Sequence, residues 1–292
     1  MKLGRRDAAH LRLLIPLGVG LMLLYIGPAL ASLLLSFTHY DGLSSPQSAG
    51  LENYAALTDD RVFLRAVANT FWFLAIALPL KLALACVLAM WLQSRKPGTG
   101  AARAAVFLPS VIPDPAMALV MLWIFNPLYG PLNLLLQQFG IAPPMWLADP
   151  KSAPWVFVLL SLFQIGELFV VLMVARMEIA GELYENAKLA GAARWAQFWH
   201  VTLPQLAPWM FILGARDMMM SLQSTFTFSH MMTQGDPYYS TMFIGLIIYE
   251  EAFDRFRFGL GSAMMVVAFL LCLAVLGLVR TGLRRWRYHV DL

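Results

Sequence analysis

The chain has 292 residues, 60% of them hydrophobic and only 13% charged, with a formal net charge of +4 at neutral pH and a mean hydropathy of +0.66. Soluble domains carry about a quarter charged residues, so this composition excludes an ordinary soluble fold and makes membrane spans the first reading. The two cysteines, Cys86 and Cys272, both fall in apolar stretches, which excludes a disulfide framework and a thiolate metal site.

A run of about 20 predominantly apolar residues crosses a bilayer as a helix. In chain order such runs fall at 13–36, 69–92, 104–125, 155–175, 207–230 and 259–279. The first follows a basic N-terminus, 1–12. Its start and Ala29-Leu30-Ala31 also resemble a secretory signal with a cleavage site. The apolar run continues through Leu35, however, so a retained span is expected. A loop at 37–68 separates it from a five-span core at 69–279. The third span holds Pro109, Pro113 and Pro115 around Asp114, which predicts a broken or kinked helix beside a cavity. A polar loop at 176–206 joins the fourth and fifth spans, and a basic segment, 280–292, follows the sixth.

Lysine and arginine give the orientation. Fourteen lie on one side: Lys2, Arg5, Arg6 and Arg12; Arg95, Lys96 and Arg103; Arg176, Lys188 and Arg194; Arg280, Arg284, Arg285 and Arg287. Five lie on the other: Arg61, Arg65, Lys151, Arg255 and Arg257. Both termini and the 176–206 loop are therefore expected in the cytoplasm, and the 37–68 loop outside.

Motifs for chemistry are missing from the sequence. There is no G-x-x-x-x-G-K-[ST] phosphate loop, no H-E-x-x-H, no G-x-S-x-G and no His/Cys cluster suited to a metal. The five histidines are scattered, and the many methionines read as adaptable packing between helices. Nothing argues for an enzyme. The first and last three spans lack the visible similarity that an inverted-repeat transporter would often show.

The loop stretch "YENAKLAGAARWAQFWHVTLP" (184–204) is polar in an apolar chain. As a helix it places Leu183, Ala187 and Ala190 on one face of mostly small residues, open to close approach by another surface. Glu182 and Glu185 lie near its start, where the helix dipole favours negative charge. Gly191 permits a turn that a β-carbon would resist. Trp195, Phe198 and Trp199 then form an aromatic stripe suited to the membrane interface, and Leu203-Pro204 opens the next span. A plain interfacial connector would explain the aromatic stripe but not the acidic, small-residue helix before it. A docking helix explains both.

Glu185-Asn186-Ala187, three residues, Gly191, nine residues, Val201-Thr202-Leu203-Pro204 resembles the EAA loop of the inner-membrane permeases of binding-protein-dependent ATP-binding-cassette importers, with Asn186 and Ala190 as departures from the usual Ala and Asp. "GLENYAALTDDRVFLRAVANT" (50–70), with Asn53-Tyr54 and Asn69-Thr70, "WIFNPLYGPLN" (123–133), "MTQGDPYYST" (232–241, Asp236 replacing the common Gly) and "IYEEAFDRFRFGLGSAMM" (248–265) are similar to the carbohydrate-uptake branch of that family.

The resemblance implies an all-α integral membrane protein of the importer-permease (MetI-like) fold, multi-pass in a bacterial or archaeal cell (inner) membrane, with six transmembrane helices and both termini cytoplasmic. The implied role is to move a sugar, glycerol or glycerol phosphate across the membrane. Implied partners are two ATPase subunits, a second permease subunit that is a related but different chain, a periplasmic or lipid-anchored solute-binding protein and membrane lipid, with no nucleic acid. No cofactor is expected on this chain, ATP and Mg belonging to the ATPase. Glu182, Glu185, Ala187, Ala190, Gly191, Leu203 and Pro204 would couple it to that ATPase.

Lys81, Asp114, Glu167, Arg216 and Asp217 fall midway along spans, where an ionisable group costs about 2.5–3.5 kcal/mol to insert and therefore faces the interior and pairs. Two roles stand open for them: lining the solute path, or locking helices together by pairing Lys81 or Arg216 with Glu167 or Asp217. Gln223, Ser224 and Thr225 are polar candidates for the same path. Two other readings remain, a stand-alone secondary transporter using these charges and a non-transporting membrane scaffold.

Overall fold

The computed structural model describes residues 14–94 and 96–285. The basic segments at 1–12 and 286–292, and Arg95, lie outside the described residues, so their expected cytoplasmic placement does too. Among the described residues, the regular elements apart from one two-stranded hairpin are helices. They are α1 (Leu14–Leu35, with a π-helical stretch at Met22–Ile26), α2 (Glu52–Asp59), α3 (Arg61–Leu92), α4 (Thr99–Phe107), α5 (Asp114–Ile124), α6 (Pro131–Gln138), α7 (Ala153–Phe163) and α8 (Gly166–Met177). After these come α9 (Gly181–Leu189), α10 (Arg194–Gln197, running into a π turn at Phe198–Thr202), α11 (Leu203–Met232), α12 (Ile244–Tyr249) and α13 (Phe258–Arg285). Strands β1 (Thr38–His39) and β2 (Gln47–Ser48) pair antiparallel.

Helices α1, α3 and α13 are each long and apolar enough to cross a membrane. Two further candidates are bent pairs: α4 with the 3₁₀ turn Leu108–Val111 meets α5 at 101°, and α7 meets α8 at 46°. Among the described residues that makes three candidate spans, or up to five if each bent pair is one. The expected fifth span, 207–230, lies inside α11, whose 30 residues are long enough. It is not among the helices apolar enough to qualify, because Arg216, Asp217, Gln223 and Ser224 interrupt it.

Two other boundaries differ from the sequence reading. Helix α3 starts at Arg61, inside the segment read as the 37–68 loop, because Phe63, Ala66 and Thr70 continue its buried face at helical spacing. The fourth span is broken at Gln164 and Ile165 instead of continuous. The break in the third span is where its prolines predict one: Pro113 and Pro115 flank the start of α5, and a proline cannot continue the preceding turn.

The chain divides into two compact units. The larger covers Arg61–Leu246 with the later part of α13 from Leu271. There α3 packs on α7 and α8, and α11 packs on α5, α8 and α3. One apolar cluster gathers Phe73, Met117, Met121, Phe157, Met218 and Phe243; another gathers Ala85, Ala89, Leu168, Phe169, Leu172 and Leu206. Small residues on α3, Ala85 and Ala89 among them, have no measurable exposure, which lets neighbouring backbones approach closely. Arg103 closes the end of α3, donating from Nε to the Leu92 carbonyl at 2.9 Å, a cation where the helix dipole favours one.

In the smaller unit no side chain of α1 is buried. Asn53 Nδ2 donates to the carbonyls of Ser36 and Thr38, at 2.9 Å each, tying α2 to the end of α1 and the hairpin. Glu251 is buried and bracketed by Arg255 and Arg257. The amides that mark the loops in the sequence are thus ties between segments. In the larger unit Asn69 does the same, donating to the carbonyls of Tyr239 (2.7 Å) and Met242 (2.9 Å), and Asn133 accepts from the Trp146 indole at 2.6 Å.

Candidate functional site

The breaks in α4–α5 and α7–α8 open onto one cavity of about 180 Å3. Its lining includes seven of the eight polar residues singled out for the solute path: Lys81, Asp114, Glu167, Arg216, Asp217, Gln223 and Ser224. Thr225 lies outside it. That side chain is buried and its hydroxyl donates to the Ser221 carbonyl at 2.7 Å. Helix α11 contributes two adjacent rows, Arg216, Met220 and Gln223, and the wholly polar Asp217, Ser221 and Ser224, each at the i, i+4, i+7 spacing of one helix face.

Neighbouring residues on a helix point about 100° apart, so Arg216 and Asp217 reach different partners. Asp217 Oδ1 accepts from Lys81 Nζ on α3 at 2.6 Å, with the two side chains 8% and 6% exposed. The second carboxylate oxygen, Oδ2, is buried without a hydrogen-bond partner among the described residues. Arg216 instead pairs with Glu167 on α8 at 2.5 Å, both side chains about half exposed. The first pair is a buried tie whose rupture would strand a charge. The second faces open space, where an ion pair is worth little and exchanges readily.

The two helix breaks are stitched to each other. Ser110 Oγ, in the first break, accepts the Gly166 amide at 2.8 Å, and Gln164 Nε2, in the second, donates to Asp114 Oδ1 at 2.7 Å. The first bond satisfies a backbone donor that a broken helix leaves open, and the second meets the Asp114 carboxylate. Gly166 is dictated by this approach: a Cβ there would strike Ser110 Oγ and come within 3.0 Å of the Phe107 backbone. Sequence reasoning did not pick out Ser110, Gln164 or Ser221. The available signal was Gln164-Ile165-Gly166, a polar side chain and a glycine inside an apolar run.

In the 176–206 loop, α9 covers the predicted helix. Glu182, Leu183, Glu185 and Ala190 are exposed, whereas Tyr184 and Ala187 are half-buried. Gly191 adopts φ +77°. The Ala192 amide reaches back to the Ala187 carbonyl at 2.9 Å, closing the helix as a glycine in the left-handed region does. Tyr184 fastens the helix: Arg176 lies 4.4 Å above its ring, and its hydroxyl meets Thr202 Oγ1 at 2.8 Å. Leu203 and Pro204 follow directly as the first turn of α11. Trp195, Phe198 and Trp199 form a cluster with ring centroids 5.2–5.8 Å apart; Trp195 and Trp199 are exposed.

Known proteins match this arrangement over most of its length. Residues 81–287 match the family described as binding-protein-dependent transport system inner membrane component. A probable ABC transporter permease protein of Bacillus subtilis (strain 168), YesP, is 31% identical over 270 residues, covering 90% of this chain and 85% of that protein. The sulfoquinovosyl glycerol transport system permease protein SmoG of Agrobacterium fabrum is 28% identical, covering 94% and 90%. Among solved structures, a chain of the bacterial alginate ABC transporter in complex with an alginate pentasaccharide-bound periplasmic protein superposes with a TM-score of 0.82 at 20% identity, covering 96% of each chain. The chain therefore belongs to the inner-membrane components of binding-protein-dependent transport systems, and its fold is the importer-permease fold.

Proposed function

We propose that this chain is the transmembrane permease subunit of an ATP-driven importer for a small carbohydrate or polyol. Its six spans have both ends in the cytoplasm, with α11 as the fifth, and ATP is hydrolysed on separate partner chains. A second, related permease completes the path, and a solute-binding protein delivers the solute from outside. Family membership supports this reading over a stand-alone secondary transporter. Carbohydrate as the cargo is supported by the loop resemblances and by the solutes named for the related permease and transporter.

The observation that carries the coupling role is the tie between α9 and the start of α11. An exposed acidic helix is fastened through Tyr184 and Thr202 to the turn from which α11 starts. Helix α11 then runs unbroken from Leu203 to the pocket residues. Leu203 and Arg216 are thirteen helical steps apart, about 20 Å at 1.5 Å each. A push on α9 by a closing ATPase is thereby carried as a rigid-body shift to Arg216, which faces Glu167 on a different helix. Glu182, Glu185, Ala187 and Ala190 form the contact, Gly191 the turn, and Leu203-Pro204 the lever's first residues. In the pocket, carboxylates and amides accept and donate hydrogen bonds to solute hydroxyls, and motion of α11 past α8 exposes them to alternate sides.

Purification of the tagged chain from its native membrane in mild detergent tests the assignment. An ATPase subunit and a second permease are expected to co-purify, with the ATPase lost from an E185K/G191V variant. A chain that is isolated alone and whose cells accumulate solute without ATP would refute it.

A further inference from the structure

Resting on the importer reading, we infer that the pocket at the helix breaks selects an uncharged polyhydroxyl solute and rejects anionic ones, phosphorylated and carboxylated sugars included. Anion sites need an uncommitted cation or a cluster of convergent donors. Here each lining cation already faces a carboxylate, Lys81 in a buried pair with Asp217 and Arg216 in a half-exposed pair with Glu167. Three carboxylates stand against two cations, leaving the lining one formal negative charge in excess. The carboxylate without a cation, Asp114, is met by the Gln164 amide.

The buried open valence is an acceptor. Asp217 lines the cavity, and its Oδ2 is buried and lacks a hydrogen-bond partner among the described residues, so a donor that reaches it completes an unfilled acceptor. A solute hydroxyl supplies that donor and still accepts from Gln223 or Ser224, whereas a phosphate or carboxylate at neutral pH brings acceptors against an acceptor. The cavity, about 180 Å3, is smaller than the roughly 300–1,000 Å3 of sites for drug-sized ligands, which suits one ring or a short polyol unit. An anion that drew Arg216 from Glu167 would face the released carboxylate.

The test reads the sign of the field without needing the native solute. Ser224→Cys is placed in a chain whose buried cysteines are removed (C86A, C272A), within the assembled complex. It is reacted with two methanethiosulfonates of similar size, one trimethylammonium and one sulfonate, and labelling is read from the mass of this chain. Leu128→Cys, 82% exposed and without charged neighbours in sequence, supplies the reference ratio. The cationic reagent is expected to win at position 224 by at least about tenfold over that reference. Glu167→Gln, which frees Arg216 and cancels the excess charge, brings the ratio back toward the reference. Millimolar glycerol or maltose slows labelling, and sn-glycerol 3-phosphate does not. Equal reactivity, faster sulfonate labelling, a ratio indifferent to Glu167→Gln, or protection by glycerol 3-phosphate would each overturn the inference. ATP-driven uptake by the parent complex is scored separately, so absence of that uptake with the ratio intact counts against the importer reading and leaves the pocket's polarity standing.

Discussion

The Lys81–Asp217 pair makes a quantitative prediction. Both side chains are under a tenth exposed and 2.6 Å apart. At an effective dielectric of about 20, the attraction over that distance is about 6 kcal/mol. Part of it is offset by the cost of burying both charges, so removing one partner is expected to cost about 3–5 kcal/mol by leaving the other uncompensated. Asp217→Asn keeps the shape and removes only the charge. For a chain of this size the loss corresponds to a fall of roughly 10 °C in Tm, measured on the purified complex in detergent at one scan rate. Lys81→Met on that background removes the stranded cation and should restore Tm to within about 3 °C of the parent. An Asp217→Asn variant within about 2 °C of the parent, or a double variant that unfolds as early as the single one, would refute the view that this pair locks α3 to α11.

Other predictions follow the same geometry. Gly166→Ala drives a methyl group into Ser110 and the Phe107 backbone and should cost about 1–3 kcal/mol, seen as a lower Tm; an unchanged Tm would mean that the two breaks are not held together as described. Gly191→Val forces a β-branched residue to φ +77°, a strain of about 1–2 kcal/mol; ATPase retention in pull-downs should fall while the Tm of the permease portion changes little. Asp41, in the hairpin loop, has its pKa lowered to about 2 by hydrogen bonds from the Ser44 amide and hydroxyl and the Leu43 amide. A depressed carboxylate pKa contributes stability that is present above the ordinary value near 4 and is lost as pH falls toward 2. Amide exchange at Leu43 and Ser44, corrected for intrinsic rates, should therefore stay protected at pH 5 and open between about pH 4 and 2, and Asp41→Asn should abolish that dependence.

How much of this was legible in the sequence depends on how local each cause is. Gly191 was readable because a left-handed turn after a short helix is a local demand, and its φ of +77° meets it. The break beside Asp114 was readable from three prolines. The break at Gln164 was not, because a 20-residue apolar window averages over one polar side chain, and Gly166 is there for a close approach 56 residues away in sequence, to Ser110. The charges at 81, 167, 216 and 217 announced themselves as costly in a membrane, but their pairing was not deducible. Which of two adjacent residues on α11 meets α3 and which meets α8 is set by helix packing, across 136 residues of chain for Lys81 and Asp217. Thr225 shows the limit from the other side: polar and next to Ser224, it is rotated off the cavity by one helical step and bonds its own backbone. Arg61 and Arg65 read as loop residues by charge alone, although the apolar face between them already continues α3.

Under the proposed function, ATP hydrolysed on a partner chain drives solute through this subunit. Uptake of a radiolabelled neutral sugar or polyol into proteoliposomes holding the purified complex, supplied with the binding protein on the outside, tests it most directly. Accumulation that requires ATP in the lumen, and disappears in the E185K/G191V variant, is the predicted result. Accumulation driven by a proton or sodium gradient without ATP would contradict the account and make the charged pocket that of a secondary transporter.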